Sequence, residues 1–262
     1  MSSIPKKVEA RLKKTVPEYQ KVIRAALDRD INEADTVTIV TDMLAGVFGF
    51  DKYADITGEQ AIRGTYCDLA VKIDGKIKYL IEVKAIGLNL KENHLRQAIG
   101  YGASEGVPWV VLTNGAHWEI YRIKFEQPVS HELVCKLSFQ ELSARSSDAL
   151  ELLFILCKEG IARSAIEEFH ERSQTVNRFI VGAIIQSSAV VPVIRREIRK
   201  LAAGVRVTDE EITQLLSDVL KRDLLDGEQA LAARKQIARV AKKSSRKRGT
   251  ITSETGKPAR AD

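Results

Sequence analysis

Two carboxylates and a lysine stand close together in YCDLAVKIDGKIKYLIEVKA (Tyr66–Ala85): Asp68, then Glu82-Val83-Lys84. On one face of a β-hairpin these three side chains suit a site that holds Mg²⁺ and hydrolyses a phosphodiester. Mg²⁺ keeps several waters and takes only one or two carboxylates, so Asp68 and Glu82 suffice, with the Val83 carbonyl as a further oxygen. A metal there polarises the phosphoryl oxygen and generates the nucleophile from water, with Mn²⁺ able to replace Mg²⁺. Lys84 beside it neutralises charge developing on the phosphate. Glu-x-Lys alone recurs by chance about once in a chain of this length. The paired Asp at matched parity carries the weight.

Strand side chains alternate between faces. Leu69, Val71 and Ile73 therefore share one face, as do Ile77, Tyr79, Ile81 and Val83, while Asp68, Glu82 and Lys84 point the other way. Asp74-Gly75 is the turn signal. A two-residue loop pairs Ile73 with Lys76 and sets apolar against polar rows. A three-residue loop makes the apolar rows coincide and is the expected form. That register brings Asp68 to the face of Glu82 and Lys84.

Two helices flank the hairpin. Asn32 is a candidate N-cap for a helix carrying Val37, Val40, Leu44, Val47 and Phe48, closing at Gly49. Glu33 lies four residues before Val37, on the inward stripe, and is a third candidate carboxylate. Asn89-Leu90-Lys91-Glu92 has the spacing of a capping box. The helix after it packs through Leu95, Ala98, Ile99 and Gly102, with Gly100, Gly102 and Ala103 small enough for a close approach. Gln97 and Tyr101 are an i, i+4 pair on an adjoining face, suited to hydrogen bonds with phosphate or carboxylate. His94 reads as a surface histidine.

Glu33, Asp68, Glu82-Val83-Lys84 and Gln97-x-x-x-Tyr101, in that order, resemble the PD-(D/E)xK nuclease superfamily, with the N-terminal nuclease domain of type I restriction enzyme R subunits as the nearest branch. The likeness covers roughly residues 15–125 and includes the Thr113-Asn114-Gly115 turn before Trp118 and Tyr121. It implies a restriction-endonuclease-like mixed sheet flanked by helices. It implies metal binding by Asp68 and Glu82, orientation or activation of water by Lys84, and support of the site and the DNA backbone by Gln97 and Tyr101, with Glu33 as the helix carboxylate. Cys67 departs from the proline of the family motif. No GxxxxGK[ST] loop occurs, so the resemblance is to a nuclease module without its own ATPase motor.

Composition frames these residues. At 262 residues and 44% hydrophobic, the chain can build one or two cored domains. Cys67, Cys135 and Cys157 are odd in number and widely spaced, as in a reducing compartment, and no CxxC or HxxxH spacing points to zinc. The first 24 residues carry seven Lys/Arg and no apolar run, and Phe179–Ile194 is interrupted by Gln186, Ser187, Ser188 and Pro192. A cytoplasmic protein that avoids the membrane is expected. The net charge of +6 is uneven: residues 234–262 hold ten Lys/Arg against Glu254 and Asp262, leaving residues 1–233 mildly acidic. Lys242, Lys243, Arg246, Lys247 and Arg248 are candidates for sequence-independent grip on DNA phosphates, and a solubilising tail is the plainer reading.

Val107–Thr113 and Trp118–Phe125 read as strands joined by Asn114-Gly115, and Leu133–Phe139 as another. From Ser147 the period turns helical: Ala149–Lys158, Ile161–Arg172, Val176–Ser187, Val193–Ala202 and Asp209–Lys221, the last opened by a Thr208/Glu211 capping box. The expectation is an α+β nuclease-like domain over 1–140, an all-α half over 141–233 and a disordered basic tail over 234–262. The helical half is open to target reading, homodimerisation or docking of other restriction-system subunits. The expected activity is Mg²⁺-dependent endonucleolytic cleavage of DNA in restriction or phage defence. A nuclease fold that grips nucleic acid or protein without cutting is the alternative, and a ribonuclease with the same metal chemistry a third.

Overall fold

The computed structural model describes residues 3–62, 65–201, 204, 206–220 and 222–251. The chain divides into two compact units, Met1–His170 and Glu171–Asp262.

The first unit is α+β. Its helices are α1 (Lys6–Asp28), α2 (Glu33–Gly46), α3 (Arg96–Glu105), α4 (Ser147–Phe154), α5 (Lys158–Ile161) and the first turns of α6 (Ala165–Thr175). Its strands are β1 (Ile56–Ile62), β2 (Thr65–Ile73), β3 (Lys76–Val83), β4 (Trp109–Thr113), β5 (His117–Lys124) and β6 (Ser130–Ser138). They form one sheet in the order β1-β2-β3-β4-β5-β6, antiparallel throughout except for the parallel pair β3 and β4. A parallel neighbour needs a crossover, and α3 supplies it.

The hairpin brings Leu69 and Val71 to the face of Tyr79, Ile81 and Val83 as expected, by a different route, and Ile77 departs from the expected row to the opposite face, with Leu80. Asp74 and Gly75 both have positive φ, 53° and 74°, and Ile73 pairs with Lys76, so the loop has two residues. The mismatch this creates is repaired within β3: Lys72 pairs with Ile77 and Val71 with Tyr79, leaving Lys78 as a bulge. Beyond it Leu69 faces Ile81. A bulge and a longer loop cure the same parity error, and the strand with the polar extra residue took it.

Leu69, Val71, Tyr79, Ile81 and Val83 pack on α1, α2 and α4, whereas Ala70, Leu80, Val110, Leu112, Tyr121 and Ile123 pack under α3. In α1, Val8, Leu12, Val16, Ile23 and Ala26 make the buried seam. Arg11 ties α1 to its neighbours: its guanidinium forms two 2.7 Å bonds with Glu159 and donates to the Val47 carbonyl at 3.0 Å. Under α3 the sheet approaches closely. A Cβ on Gly102 would stand 2.5 Å from Ile123 Cδ1 and 3.0 Å from the Val107 carbonyl, whereas Gly100 faces open space. Strand β6 carries a bulge at Val134, which disrupts the flat edge that pairing with another chain requires.

Leu150, Leu153, Phe154, Ile155, Leu156, Cys157 and Ile166 belong to the sheet's core. The change to a helical period at Ser147 therefore marks no boundary, and the compact break falls after His170, later than the expected 140. The second unit is all-α, with α7 (Arg178–Ile185), α8 (Val191–Leu201), α9 (Asp209–Val219), α10 (Asp223–Asp226) and α11 (Glu228–Ile251). Ile180 and Ala183 of α7 meet Ala233 of α11. The Thr208/Glu211 box caps α9 as expected, through bonds of 3.2 and 2.8 Å. Residues 234–240, expected in the disordered tail, continue helix α11, because Ala, Arg, Lys and Gln favour helix. Residues 252–262, and the side chains of Lys242, Lys243, Arg246, Lys247 and Arg248, lie outside the described part. Among the described residues no helix is long and apolar enough to cross a membrane.

Candidate active site

The site lies where β2 and β3 part. One position outward from the Leu69–Ile81 pair, Asp68 stands by Glu82, and there β3 continues on β4 alone: Val83 pairs with Thr113, and the Lys84 amide donates to the Thr113 carbonyl at 2.8 Å. Asp68 fills the fork, its Oδ2 accepting from the Val83 amide at 2.7 Å. That bond replaces a ladder bond that the diverging strand no longer makes, and it fixes the carboxylate.

Glu82 alternates with Leu80 and so projects to the α3 side. It is 4% exposed. Its Oε1 meets Lys84 Nζ at 2.8 Å, and its Oε2 is buried with no hydrogen-bond partner among the described residues. Lys84 lies just past the end of β3, which lets it reach across to α2, where Nζ stands 3.2 Å from Glu33 Oε1. Glu33, Asp68, Glu82 and Lys84 thus come together as a set carrying two negative charges in excess when all are ionised.

The electrostatics follow from that imbalance. Burial pushes the Glu82 carboxyl up to about 7; the Lys84 bond opposes this, and Asp68 and Glu33 add to it. Burial also works against the Lys84 ammonium, but Glu82, Asp68 and Glu33 outweigh it and raise its pKa. One lysine is shared among three carboxylates, so its charge is over-compensated while that of Glu82 is under-compensated. A cation with oxygen preference fits this deficit and the unpartnered Oε2. Asp68 and Glu82 are the side chains that would hold it. Among the described residues there is no group of three His, Cys, Asp or Glu placed to ligate one ion. A two-carboxylate, water-rich Mg²⁺ shell does not require one.

Glu33 departs from expectation. It is 48% exposed at the start of α2 and engages Lys84 rather than the core. The buried stripe of that helix is Thr36, Val40, Met43 and Leu44, and Val37, through which Glu33 was aligned, is itself only half-buried. Asn32 caps the helix as expected, accepting from the Asp35 amide at 2.9 Å. Val83 has its side chain in the core and its amide on Asp68.

Gln97 and Tyr101 separate. Gln97 is exposed on the first turn of α3, with no hydrogen bond joining it to the cluster among the described residues. Tyr101 is 1% exposed, in the core under α3, with no partner for its hydroxyl among the described residues. Its link to the site runs through Cys67. Burial drives the Cys67 thiol up to about 12 with help from Glu82 and Asp68, and Cys67 in turn helps raise the Tyr101 phenol after burial and Glu105. The helix start also differs: a 3-10 turn over Glu92–Leu95 precedes α3, and His94 Nδ1, not Glu92, accepts the Lys91 amide at 3.2 Å.

Two positioning contacts escaped the sequence reading. Asn114, 2% exposed, donates through Nδ2 to the carbonyls of Ile86 and Leu88, 3.0 Å each, and accepts from the His117 amide at 2.7 Å. It pins the segment that follows Lys84. Its Asn-Gly context signalled only a turn. On the other side Asp30, at a φ of +47°, abuts that segment at Gly87, where an added Cβ would come 2.4 Å from Oδ1. A side chain at Gly87 would have to displace the exposed Asp30 carboxylate at the α1–α2 corner, beside which Glu33 begins α2.

The cavity of about 310 Å³ in the second unit, lined by Gln174, Asn177, Phe179, Gln229 and Gln236 among others, carries no titratable side chain. Compared with protein-family models, curated proteins and solved structures, the chain matches none.

Proposed function

We propose that the chain is a Mg²⁺-dependent endodeoxyribonuclease of restriction or phage-defence type. One observation carries the reading: a buried Glu82 with one oxygen on Lys84 and the other unpartnered, beside an Asp68 already oriented by the backbone. Such an arrangement is costly without a cation to complete it.

Asp68 and Glu82 would hold the metal. When bound, it supplies Lewis-acid polarisation of the phosphoryl oxygen and a water of lowered pKa. The chain's own groups do the rest. Asp68 is held by the Val83 amide, so its carboxylate needs no reorganisation on loading. Lys84 keeps its proton among three carboxylates, so it acts as a cation that meets charge developing on the phosphate, not as a base. Gln97, exposed at the start of α3, is free to donate to the DNA backbone. The basic residues Lys242, Lys243, Arg246, Lys247 and Arg248 add salt-sensitive affinity. A homodimer, or docking of other restriction-system subunits, is the role left to the second unit.

A non-cleaving module that grips nucleic acid or protein has one observation in its favour: Lys84 already lies 2.8 Å from Glu82 and 3.2 Å from Glu33, so the buried carboxylate has an ion-pair partner without a metal. The test is incubation of supercoiled plasmid with Mg²⁺, Mn²⁺ or EDTA, alongside Asp68→Asn and Glu82→Ala. Metal-dependent nicking or linearisation, lost in both variants, is expected. Tight DNA binding with no cleavage by the wild type supports the non-cleaving module instead. Cleavage of RNA alone moves the assignment to a ribonuclease.

A further inference from the structure

We infer that Glu33 is not a metal ligand but the carboxylate onto which Lys84 is passed when the Asp68–Glu82 pair takes up a divalent cation. The inference rests on the proposed metal site, and it assigns Glu33 the role of a positioning residue.

The geometry has three parts. Lys84 Nζ is bonded to Glu82 Oε1 at 2.8 Å, so in this state the ammonium occupies one of the two oxygens a cation would use. The same Nζ is already 3.2 Å from Glu33 Oε1, so transfer between the carboxylates needs a sub-ångström shift and no rotamer search. The two acceptors differ in surroundings: Glu82 is buried, its side chain 5% exposed, while that of Glu33 is 48% exposed. Water screens the exposed pair more, so Glu82 outcompetes Glu33 for the lysine until a stronger cation claims it.

Glu33 is held ready for that role. It is the first residue of α2, where the helix dipole favours its negative charge, and Asn32 fixes the helix start. The corner leading into α2 rests on Gly87 through Asp30, and Asn114 grips Ile86 and Leu88 of the same segment. The lysine and its second carboxylate are therefore braced from both sides. A metal ligand at this position would instead need its oxygens turned to Asp68 and Glu82, with Lys84 out of the way, and no group of three ligating side chains stands there among the described residues.

Mn²⁺ affinity of the full chain, read by electron paramagnetic resonance at pH 8, separates the roles. Glu33→Gln leaves Lys84 no second home, so it should stay on Glu82 and weaken Mn²⁺ binding roughly three- to tenfold. In a Lys84→Met background the same change should alter affinity by less than about twofold, because no lysine remains to compete. Equal loss in both backgrounds would make Glu33 a ligand and overturn the inference. So would full affinity in Glu33→Gln with Lys84 intact, provided Glu82→Ala abolishes binding. Wild-type protein that binds no Mn²⁺ defeats the metal site itself, and with it both readings.

Discussion

Replacing Glu82 by Gln should make the first unit more stable at pH 8 and erase part of its pH dependence. In the folded chain burial raises the Glu82 carboxyl from 4.5 to about 7. Between those values the native state holds a proton that the unfolded state has released, so stability falls as pH rises through this window. At 1.36 kcal/mol per pKa unit the full loss is about 3 kcal/mol, complete above roughly pH 7. Gln is isosteric with the protonated form and does not titrate. The loss of the Lys84 ion pair is already contained in that value, so the gain at pH 8 is about 3 kcal/mol, and near pH 4.5 the two proteins should agree to within about 1 kcal/mol. The chain's two tryptophans, Trp109 and Trp118, are both buried in the first unit, so urea unfolding followed by their fluorescence reports on that unit. The measurement is made with EDTA present, at half-unit steps from pH 4.5 to 8.5. Parallel stability curves for wild type and Glu82→Gln would refute the reasoning, because they would mean that Glu82 ionises as easily in the fold as out of it.

With EDTA omitted and the pH held at 8, Mg²⁺ at a hundredfold excess over its dissociation constant should stabilise the wild type by about 2.7 kcal/mol and Glu82→Gln far less; an equal shift in both would place the ion elsewhere. Lys84→Ala should lower cleavage about 10²- to 10³-fold with little change in DNA binding, and Lys84→Arg should not restore it, since the planar guanidinium cannot occupy the same point between Glu82 and Glu33. Single-turnover rates check this. Tyr101→Phe removes a buried hydroxyl that has no partner, so stability should hold or rise by about 1 kcal/mol in thermal unfolding; a loss of more than that would reveal a bond the hydroxyl makes. Removing residues 241–262 deletes seven Lys/Arg against Glu254 and Asp262, and if three to five of them meet phosphates the slope of log affinity against log salt should flatten by about three to four units. An unchanged slope would leave the tail a solubilising one.

What the sequence made legible, and what it hid, divides along one physical line. Burying Leu69, Val71, Ile81 and Val83 on one face leaves Asp68 and Glu82 only the other, so period alone assembles that pair. The route is invisible to the same argument, because a longer loop and a bulge at Lys78 restore parity equally well. α1 was missed for a related reason: five Lys and two Arg are interleaved with its apolar seam, and its buried positions emerge only once a sheet face exists to cover them. β1 likewise acquires its role from β2, its partner in the ladder.

Partnerships across the fold were the least legible. Spacing placed Glu33 on an inward stripe, but the first turn of a helix can rotate past its seam at little cost, and a nearby ammonium decides where a carboxylate there points. Tyr101 and Gln97 share a spacing yet part company, because α3 presses close enough at Gly102 to take the phenol into the core while its first turn stays wet. Asn114 shows the limit most sharply. Its dipeptide announces a turn, and nothing in it announces that the amide will reach back to Ile86 and Leu88 and so set where the chain goes after Lys84. The reactive groups are written in local alternation. Their alignment depends on residues such as Asn114, whose importance exists only when two loops from distant parts of the chain meet.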